Sequence, residues 1–437
     1  MSVDAAAARE QRAWYWYDWA NSAFATSVVT LFLGPYLTAL AKAGADSQGM
    51  VHILGIPVAA QAVWPYAVSA SVFLQVFALP VFGAIADYGR NKREMLTALT
   101  VGGSAATIAM FLLTGSSYIA GVLLFLAANF CYGAAIVVYN SFLPEIAAPE
   151  DRDRVSSRGW AFGYLGGGLL LALNLLLYTN ADRIGLGSGL AVRLSLASAG
   201  VWWLLFSVFP LRTLRNRGPA KSPPPGQHYI TVAVKQLWHT LRGVRRYPQT
   251  LLFLAAYLVY NDAIQTVFTM AVQFGSEELK LSLSTLTSAV LLVQFVALGG
   301  ALGFNRVAAA IGNKHAVMVA LVVWCLTLVA IYFLVYTAAG FYIAASAIGV
   351  VMGGSQALSR SIFSLLIPRG QEAEYFSVYE ISDKGTSWLG PLFFGLALQV
   401  TGSFRVAILS LILFFAVGLI LLSRVDVEAG SAAVRPE

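Results

Sequence analysis

The chain has 437 residues, of which 58% are hydrophobic and 11% charged, and its mean hydropathy is +0.71. A soluble domain carries about 25% charged residues, so this composition excludes an ordinary soluble protein and indicates that much of the surface faces lipid. The net charge of +7 does not indicate nucleic-acid binding, because the basic residues lie between apolar segments rather than on one face.

Residues that could carry metal, redox or nucleophilic chemistry are few and scattered. Cys131 and Cys325 lie inside apolar runs far apart in the sequence, and we expect them to be small buried side chains. The four histidines have no metal-ligand spacing: His52, His228, His239 and His315. The sequence therefore predicts no metal, no cofactor and no enzymatic activity.

Twelve apolar segments approach the roughly 20 residues that a membrane-spanning helix needs, which predicts an all-α membrane protein. Spans 1 to 6 are predicted at 14–38, 64–85, 95–115, 118–141, 160–178 and 190–210. Spans 7 to 12 are predicted at 250–272, 283–305, 316–336, 341–366, 386–400 and 404–423. Span 1 is too long for a cleavable signal peptide and is expected to act as an uncleaved insertion signal.

The basic residues predict how the chain is oriented in the membrane. With twelve spans, 23 of the 28 lysines and arginines fall on the side that holds both termini and the central loop. The other side holds Lys42, Arg183, Arg193, Lys280 and Arg405. Because basic loops stay in the cytoplasm, we expect a multi-pass protein of the cytoplasmic (inner) membrane with both termini cytoplasmic.

A basic, proline-containing segment divides the chain into two halves. Residues 211–248 are predicted to be a cytoplasmic linker, partly an amphipathic helix on the inner membrane surface. It separates an N-terminal six-helix bundle (1–210) from a C-terminal one (249–437). The halves also repeat, since Pro144 precedes Gly166 by the same 22 residues that separate Pro368 from Gly390.

The loop after span 2 reads GAIADYGRNKR (83–93) and resembles the signature of the major facilitator superfamily in that loop. Arg90 stands where the usual glycine is expected. The resemblance implies that Gly83 permits close helix approach and that Asp87 caps or pairs with the cytoplasmic helix ends. We interpret Asp87, Arg90 and Arg93 as structural or gating residues.

Four further segments resemble a branch of that superfamily, the vacuole-effluxer-like family with fungal autophagy-related members and bacterial relatives. They are WYWYDWANSAFATSVVTLFLGPYL (14–37), YNSFLPEIA (139–147), RDRVSSRGWAFGYLGGGLL (152–170) and YLVYNDAIQT (257–266). Ala263 departs from the glycine expected after the aspartate. The resemblance implies two pseudo-symmetric six-helix bundles, with spans 1, 4, 7 and 10 lining a central cavity. It also implies amino acids as cargo, because the fungal members are associated with amino-acid export from the vacuole.

Charged residues inside the spans point to candidate sites. A charge at mid-span costs about 2.5–3.5 kcal/mol on insertion scales and usually faces a cavity or a partner. The predicted substrate or proton site comprises Asp18, Asn21, Asn140, Tyr260, Asn261, Asp262, Gln265 and Arg360. The structural alternative pairs Asp262 with Arg360, and Asp18 with a loop arginine such as Arg158. Glu145 and Arg158 join the gating or structural set.

The predicted function is secondary active transport of a small solute by alternating access. No nucleotide-binding motif is present in the sequence, so a solute or ion gradient is expected to supply the energy, with the proton as the candidate coupling ion. An amino acid is the first expectation for the substrate, and a lipid or amphiphile is the alternative. A non-transporting membrane sensor also stays open. The expected partners are the small-molecule substrate and membrane lipid, without nucleic acid, and the chain is expected to be a monomer.

Overall fold

The computed structural model describes residues 3–88, 91–147, 151–217, 231, 235, 246–367, 379 and 387–434. Within them the chain is helical almost throughout, apart from a hairpin in which β1 (Met50–Ile53) pairs antiparallel with β2 (Ile56–Ala59). The chain divides into two compact units, Met1–Lys235 and Gln236–Glu437. The division falls within the segment 211–248 that the sequence assigns to the linker. Residues 218–230 and 236–245 lie outside the described residues, as does Pro368.

The first unit contains spans 1 to 6. Span 1 is continuous through three segments, Val3–Ala23, Phe24–Phe32 and Leu33–Ala43. Spans 2 to 6 are the helices Val63–Tyr88, Lys92–Ala109, Tyr118–Asn140, Arg152–Thr179 and Ser188–Thr213. A short helix, Leu143–Ile146, follows span 4. Span 1 begins well before residue 14 because the polar N-terminal stretch is rich in alanine, a strong helix former that hydropathy does not detect.

The second unit contains spans 7 to 12. Spans 7 to 10 are the helices Pro248–Glu277, Leu283–Ile311, Asn313–Leu334 and Ala338–Leu365. Span 11 is Leu389–Thr401, span 12 is Phe404–Ser410 with Ile412–Ser423, and a last helix is Val427–Ala433. In the described part of the chain, eleven helices are long and apolar enough to cross a membrane, and span 11 is a shorter apolar helix. The predicted all-helical fold with twelve apolar segments is confirmed.

The middle of span 1 is a π-helix, which the sequence did not predict. The widened turns cover Phe24–Phe32, and the hydroxyl of Thr30 donates to the carbonyl of Ala25 five residues earlier (2.9 Å). They end shortly before Pro35, which has no N–H to donate to the preceding turn. Such π-helical segments break the regular register of a helix and are frequent at functional sites.

The two units repeat one close helix contact between their first and fifth spans. In the first unit, a Cβ placed on Gly166 of span 5 would lie 2.3 Å from the carbonyl oxygen of Trp19 in span 1. In the second unit, a Cβ on Gly390 of span 11 would lie 2.1 Å from Thr266 Oγ1 in span 7. Both glycines therefore let their helices approach more closely than any side chain would allow.

Each unit also uses an arginine of its last span to cap the end of its third span. Arg193 of span 6 donates to the carbonyl of Phe111 (3.4 Å) after span 3. Arg405 of span 12 donates to three carbonyls at the end of span 9, those of Ile331, Tyr332 and Val335 (3.0, 2.8 and 2.7 Å). Unpaired carbonyls at a helix end need such partners, which explains two of the five basic residues predicted outside the cytoplasm.

Candidate functional site

Asp262 of span 7 is almost completely buried, with 1% of its surface exposed. Its Oδ2 accepts a hydrogen bond from the backbone N–H of Gly390 in span 11 (2.9 Å). Its Oδ1 lies 3.5 Å from the hydroxyl of Thr266, one turn further along span 7, and that hydroxyl also donates to the carbonyl of Asp262 (2.7 Å). Among the described residues, the groups that hold the carboxylate at the contact between spans 7 and 11 are neutral.

The structural pairing of Asp262 with Arg360 is not found. Among the described residues, the carboxylate of Asp262 has Gly390 and Thr266 as its partners. Arg360 lies on the exposed side of span 10. The spacing along each helix allowed an arginine to reach the aspartate, but it did not fix which way each side chain faces around its helix axis.

The other residues predicted in span 7 lie on different sides of that helix. Tyr260 is fully buried, and its hydroxyl shares a hydrogen bond with Ser359 of span 10 (2.6 Å). Asn261 is 1% exposed, whereas Gln265 is half-buried. Tyr260 is therefore part of the packing inside the unit, and Gln265 marks the more accessible side of span 7 next to the buried Asp262.

Asp18 of span 1 is half-buried and is held by aromatic residues. Its Oδ2 accepts a hydrogen bond from the hydroxyl of Tyr139 in span 4 (2.9 Å). The ring of Tyr139 stacks on Trp14 and on Tyr17, with centroids 4.4 and 5.0 Å away. A Cβ on Gly159 of span 5 would lie 2.7 Å from the same carboxylate oxygen. Asp18 therefore joins spans 1, 4 and 5.

The alternative pairing of Asp18 with Arg158 is not found either. The carboxylate bonds Tyr139 instead, and Arg158 is exposed. Of the remaining candidates in this unit, Asn21 is buried, and its amide nitrogen has no hydrogen-bond partner among the described residues. Asn140 is the exposed last residue of span 4. Asn21 is a free hydrogen-bond donor inside the first unit.

Two of the predicted gating residues in and after span 2, Gly83 and Arg93, can be placed in the structure. Gly83 does not mark a close helix approach, because an added Cβ would lie 3.6 Å from Val137 Cγ1, an ordinary contact. Arg93 pairs with its neighbour Glu94 at 3.1 Å on the surface. The side chain of Asp87 and all of Arg90 lie outside the described residues.

Glu145 belongs to a partly buried ion network in the first unit. It pairs with Lys92 (2.5 Å), whose side chain is 4% exposed. Arg217, just after span 6, lies 3.0 Å from Glu10 and 3.8 Å from Glu145. Two acids and two bases balance each other, as buried charges require. The network joins the start of spans 1 and 3, the segment after span 4 and the beginning of the linker.

Several contact residues of these sites were not predicted. Some are uncharged residues inside spans, namely Thr266, Gly390 and Tyr139. The others are charged residues at or near span ends, namely Lys92, Glu10 and Arg217. Neither group stands out in the sequence by residue type. The repeat of Pro144–Gly166 and Pro368–Gly390 did point to Gly390. It did not indicate that this glycine donates its N–H to Asp262.

Two bundles of apolar helices with carboxylates inside their spans are typical of secondary transporters. The fold matches the nucleoside transporter NupG with a TM-score of 0.69, 14% identity and coverage of 97% of this chain and 99% of that one. It matches the xylose transporter XylE from E. coli with a TM-score of 0.62, 13% identity and coverage of 96% and 94%. At these identities the likeness establishes the fold, that of the major facilitator transporters.

Sequence comparison gives the family. The chain is 29% identical to the uncharacterized MFS-type transporter YxiO of Bacillus subtilis, over 97% of this chain and 96% of YxiO. It is 26% identical to autophagy-related protein 22-2 of Aspergillus niger, over 88% and 79% of the two chains. The profile of the family described as "Vacuole effluxer Atg22 like" matches residues 6–435. The chain belongs to this family and is a secondary transporter of the major facilitator type.

Proposed function

We propose that the chain moves a small solute across the cytoplasmic membrane by alternating access and takes up a coupling proton at Asp262. The observation that carries this proposal is the buried carboxylate of Asp262, which has Gly390 and Thr266 as partners and no cation among the described residues. A carboxylate inside a membrane span is costly as an anion. Uptake of a proton removes the charge, so proton binding and the conformation around spans 7 and 11 are linked.

An amino acid is the first candidate for the solute. Relatives of the chain carry the name autophagy-related protein 22, and the family is described as vacuole effluxers. Span 7 also carries two amide side chains close to Asp262 in sequence, the buried Asn261 and the half-buried Gln265. Amides and a carboxylate together can bind both the carboxylate and the ammonium group of a zwitterion.

The test is uptake into proteoliposomes of the purified protein, with a panel of labelled amino acids and an imposed proton gradient. We expect at least one amino acid to accumulate against its gradient, and we expect the Asp262→Asn variant to lose accumulation while inserting normally. Asp46→Asn is the matched control, because Asp46 lies in the loop that follows span 1. Proton-driven uptake that is unchanged in Asp262→Asn would remove Asp262 from the mechanism.

A second candidate solute is a lipid or amphiphile, which a cavity in the second unit favours. The cavity lies among spans 7, 8, 9, 10 and 12. Its walls are apolar and include Phe268, Val272, Val293, Phe341, Ala345 and Ile348. Narrowing this cavity with Ala345→Phe should reduce transport of a labelled fatty acid and leave amino-acid uptake unchanged.

A further inference from the structure

We propose that the hydrogen bond between Asp262 Oδ2 and the backbone N–H of Gly390 is a proton-operated latch, which holds the start of span 11 against span 7. Gly390 and Thr266 are its positioning residues. The inference rests on the proposed proton uptake at Asp262 and adds what that proton does. The latch closes when the carboxylate is charged and opens when it is neutral.

The lack of a side chain at Gly390 is what allows the latch to form. A Cβ at this position would lie 2.1 Å from Thr266 Oγ1 and 2.8 Å from Asp262 Oδ1. Real Cβ contacts do not come that close, so any other residue would push span 11 away from span 7. Thr266 lies next to the other carboxylate oxygen, 3.5 Å from Oδ1, and its hydroxyl is tied to the carbonyl of Asp262 (2.7 Å).

The position of Gly390 in its helix gives the latch its preference for a charged carboxylate. Gly390 is the second residue of the helix Leu389–Thr401, and Pro391 after it has no N–H. The N–H groups of a first helical turn carry partial positive charge and favour an anion. Asp262 therefore supplies, from a neighbouring span, the negative group that the beginning of span 11 attracts.

Protonation changes the strength of this bond. A hydrogen bond to a carboxylate is roughly twice as strong as one between neutral groups. The neutral carboxyl group also loses the attraction to the helix N-terminus. The start of span 11 is then held by packing alone, and it can separate from span 7. In this way, proton binding allows a membrane span to move.

In the described part of the chain, the other ionisable groups around span 7 do not bond Asp262. The described elements that pack on this span carry Arg306, Tyr342, Arg360, Tyr379, Arg405, Arg424 and Glu428, and span 7 itself carries Tyr257, Tyr260 and Glu277. None is a hydrogen-bond or ion-pair partner of the Asp262 carboxylate. Span 11 has no ionisable side chain between Leu389 and Thr401. Among the described ionisable groups, Asp262 is therefore the one whose protonation acts directly on the latch.

Hydrogen–deuterium exchange of the Gly390 amide, measured by mass spectrometry on the full chain, tests the latch without any substrate. Because Pro391 has no amide hydrogen, a fragment ending there isolates the signals of Trp388, Leu389 and Gly390. After correction for intrinsic rates, we expect exchange at Gly390 to be about ten-fold faster in acidic than in neutral buffer. In Asp262→Asn it should be fast in both buffers.

Two further variants sharpen the result. Thr266→Val should raise exchange at Gly390 at neutral pH. Gly303→Ala in span 8 should exchange like the wild type, because a Cβ there meets no atom within 4 Å. If exchange at Gly390 changes neither in acid nor in Asp262→Asn, the latch is overturned. Loss of proton-driven uptake in the same variant would then still support the proposed function. Acid-sensitive exchange with unchanged proton-driven uptake would support the latch and overturn the proposed function.

Discussion

Asp18 and Asp262 occupy the first span of their respective units, and each packs against a glycine of that unit's fifth span. Their surroundings differ. Asp18 is half-buried, and an aromatic hydroxyl holds one of its oxygens. Asp262 is fully buried against a backbone N–H. One helix-packing plan thus produces a half-buried acid that joins three spans and a fully buried acid that contacts the start of a neighbouring span.

The difference arises from where each acid lies along the repeated contact. Gly166 and Gly390 correspond in the repeat, and Gly390 meets Asp262 itself, whereas Gly166 meets Trp19. Asp18 contacts Gly159, about two helical turns before Gly166. Asp18 and Asp262 therefore differ by a shift of one to two turns along the corresponding helix pairs of the two units. Asp18 joins spans, whereas Asp262 is the proposed proton-binding acid.

The largest stability effect is expected from filling the two repeated glycine contacts. Gly166→Ala should cost about 2–3 kcal/mol, because its methyl group meets a backbone carbonyl that has no room to yield. Gly390→Ala should cost less, since the Thr266 side chain can rotate, but it should impair transport more. Thermal unfolding in detergent measures the first effect and vesicle uptake the second. Gly168→Ala, where a Cβ meets nothing within 4 Å, is the control, and equal losses at all three positions would contradict the packing argument.

The two arginine caps offer the next comparison. Arg405 donates to three carbonyls, pairs with Glu278 at 2.7 Å and lies over the ring of Tyr336. Its replacement by alanine should cost about 2–3 kcal/mol. Arg193 makes one long hydrogen bond and a contact with the ring of Phe111, so Arg193→Ala should cost about 1 kcal/mol or less. Unfolding of the two variants in detergent, measured side by side, compares these losses of stability. A larger loss of stability for Arg193→Ala would contradict the view that Arg405 is the stronger helix cap.

Removing single hydroxyl groups next to the acids should have smaller effects. Tyr139→Phe leaves the aromatic stack but removes the donor to Asp18, with an expected cost of about 1–2 kcal/mol. Tyr260→Phe removes the bond to Ser359 and should cost about 1 kcal/mol. Transport by Tyr260→Phe should stay near the wild-type rate when corrected for protein amount. Loss of transport in a well-folded Tyr260→Phe protein would show that Tyr260 belongs to the site after all.

The smallest effect concerns the loops that follow the first span of each unit. Hydrogen bonds from the backbone of Met50 and Gln48 lower the pKa of Asp46, so this turn is stabilised above the ordinary carboxyl pKa and weakened as the pH falls through the lowered value. In the second unit, the neutral Ser282 caps Thr285. Amide exchange at Met50 should therefore increase in acid, after correction for intrinsic rates, while exchange at Thr285 should not. Identical acid responses would contradict this.

The sequence predicted the helical fold well because each long apolar run is visible in the sequence itself. It also pointed to Asp18 and Asp262 as candidates, since a charge in an apolar run stands out. It failed on their partners. Pairing Asp262 with Arg360 required the rotation of each side chain about its helix, which spacing does not give, and the true donor is a backbone N–H, which no residue type reveals. The π-helical part of span 1 was missed for a similar reason, because it depends on backbone register rather than on composition.

Proton binding by Asp262 within its span is the central step of the proposed mechanism. Infrared difference spectra of the protein in bilayers, recorded between acidic and neutral buffer, report directly on carboxyl groups that gain a proton. We predict a protonated carboxyl band in the wild type that is absent from Asp262→Asn and retained in Asp18→Asn. A band of equal intensity in Asp262→Asn would contradict the account, because the proton would then bind elsewhere.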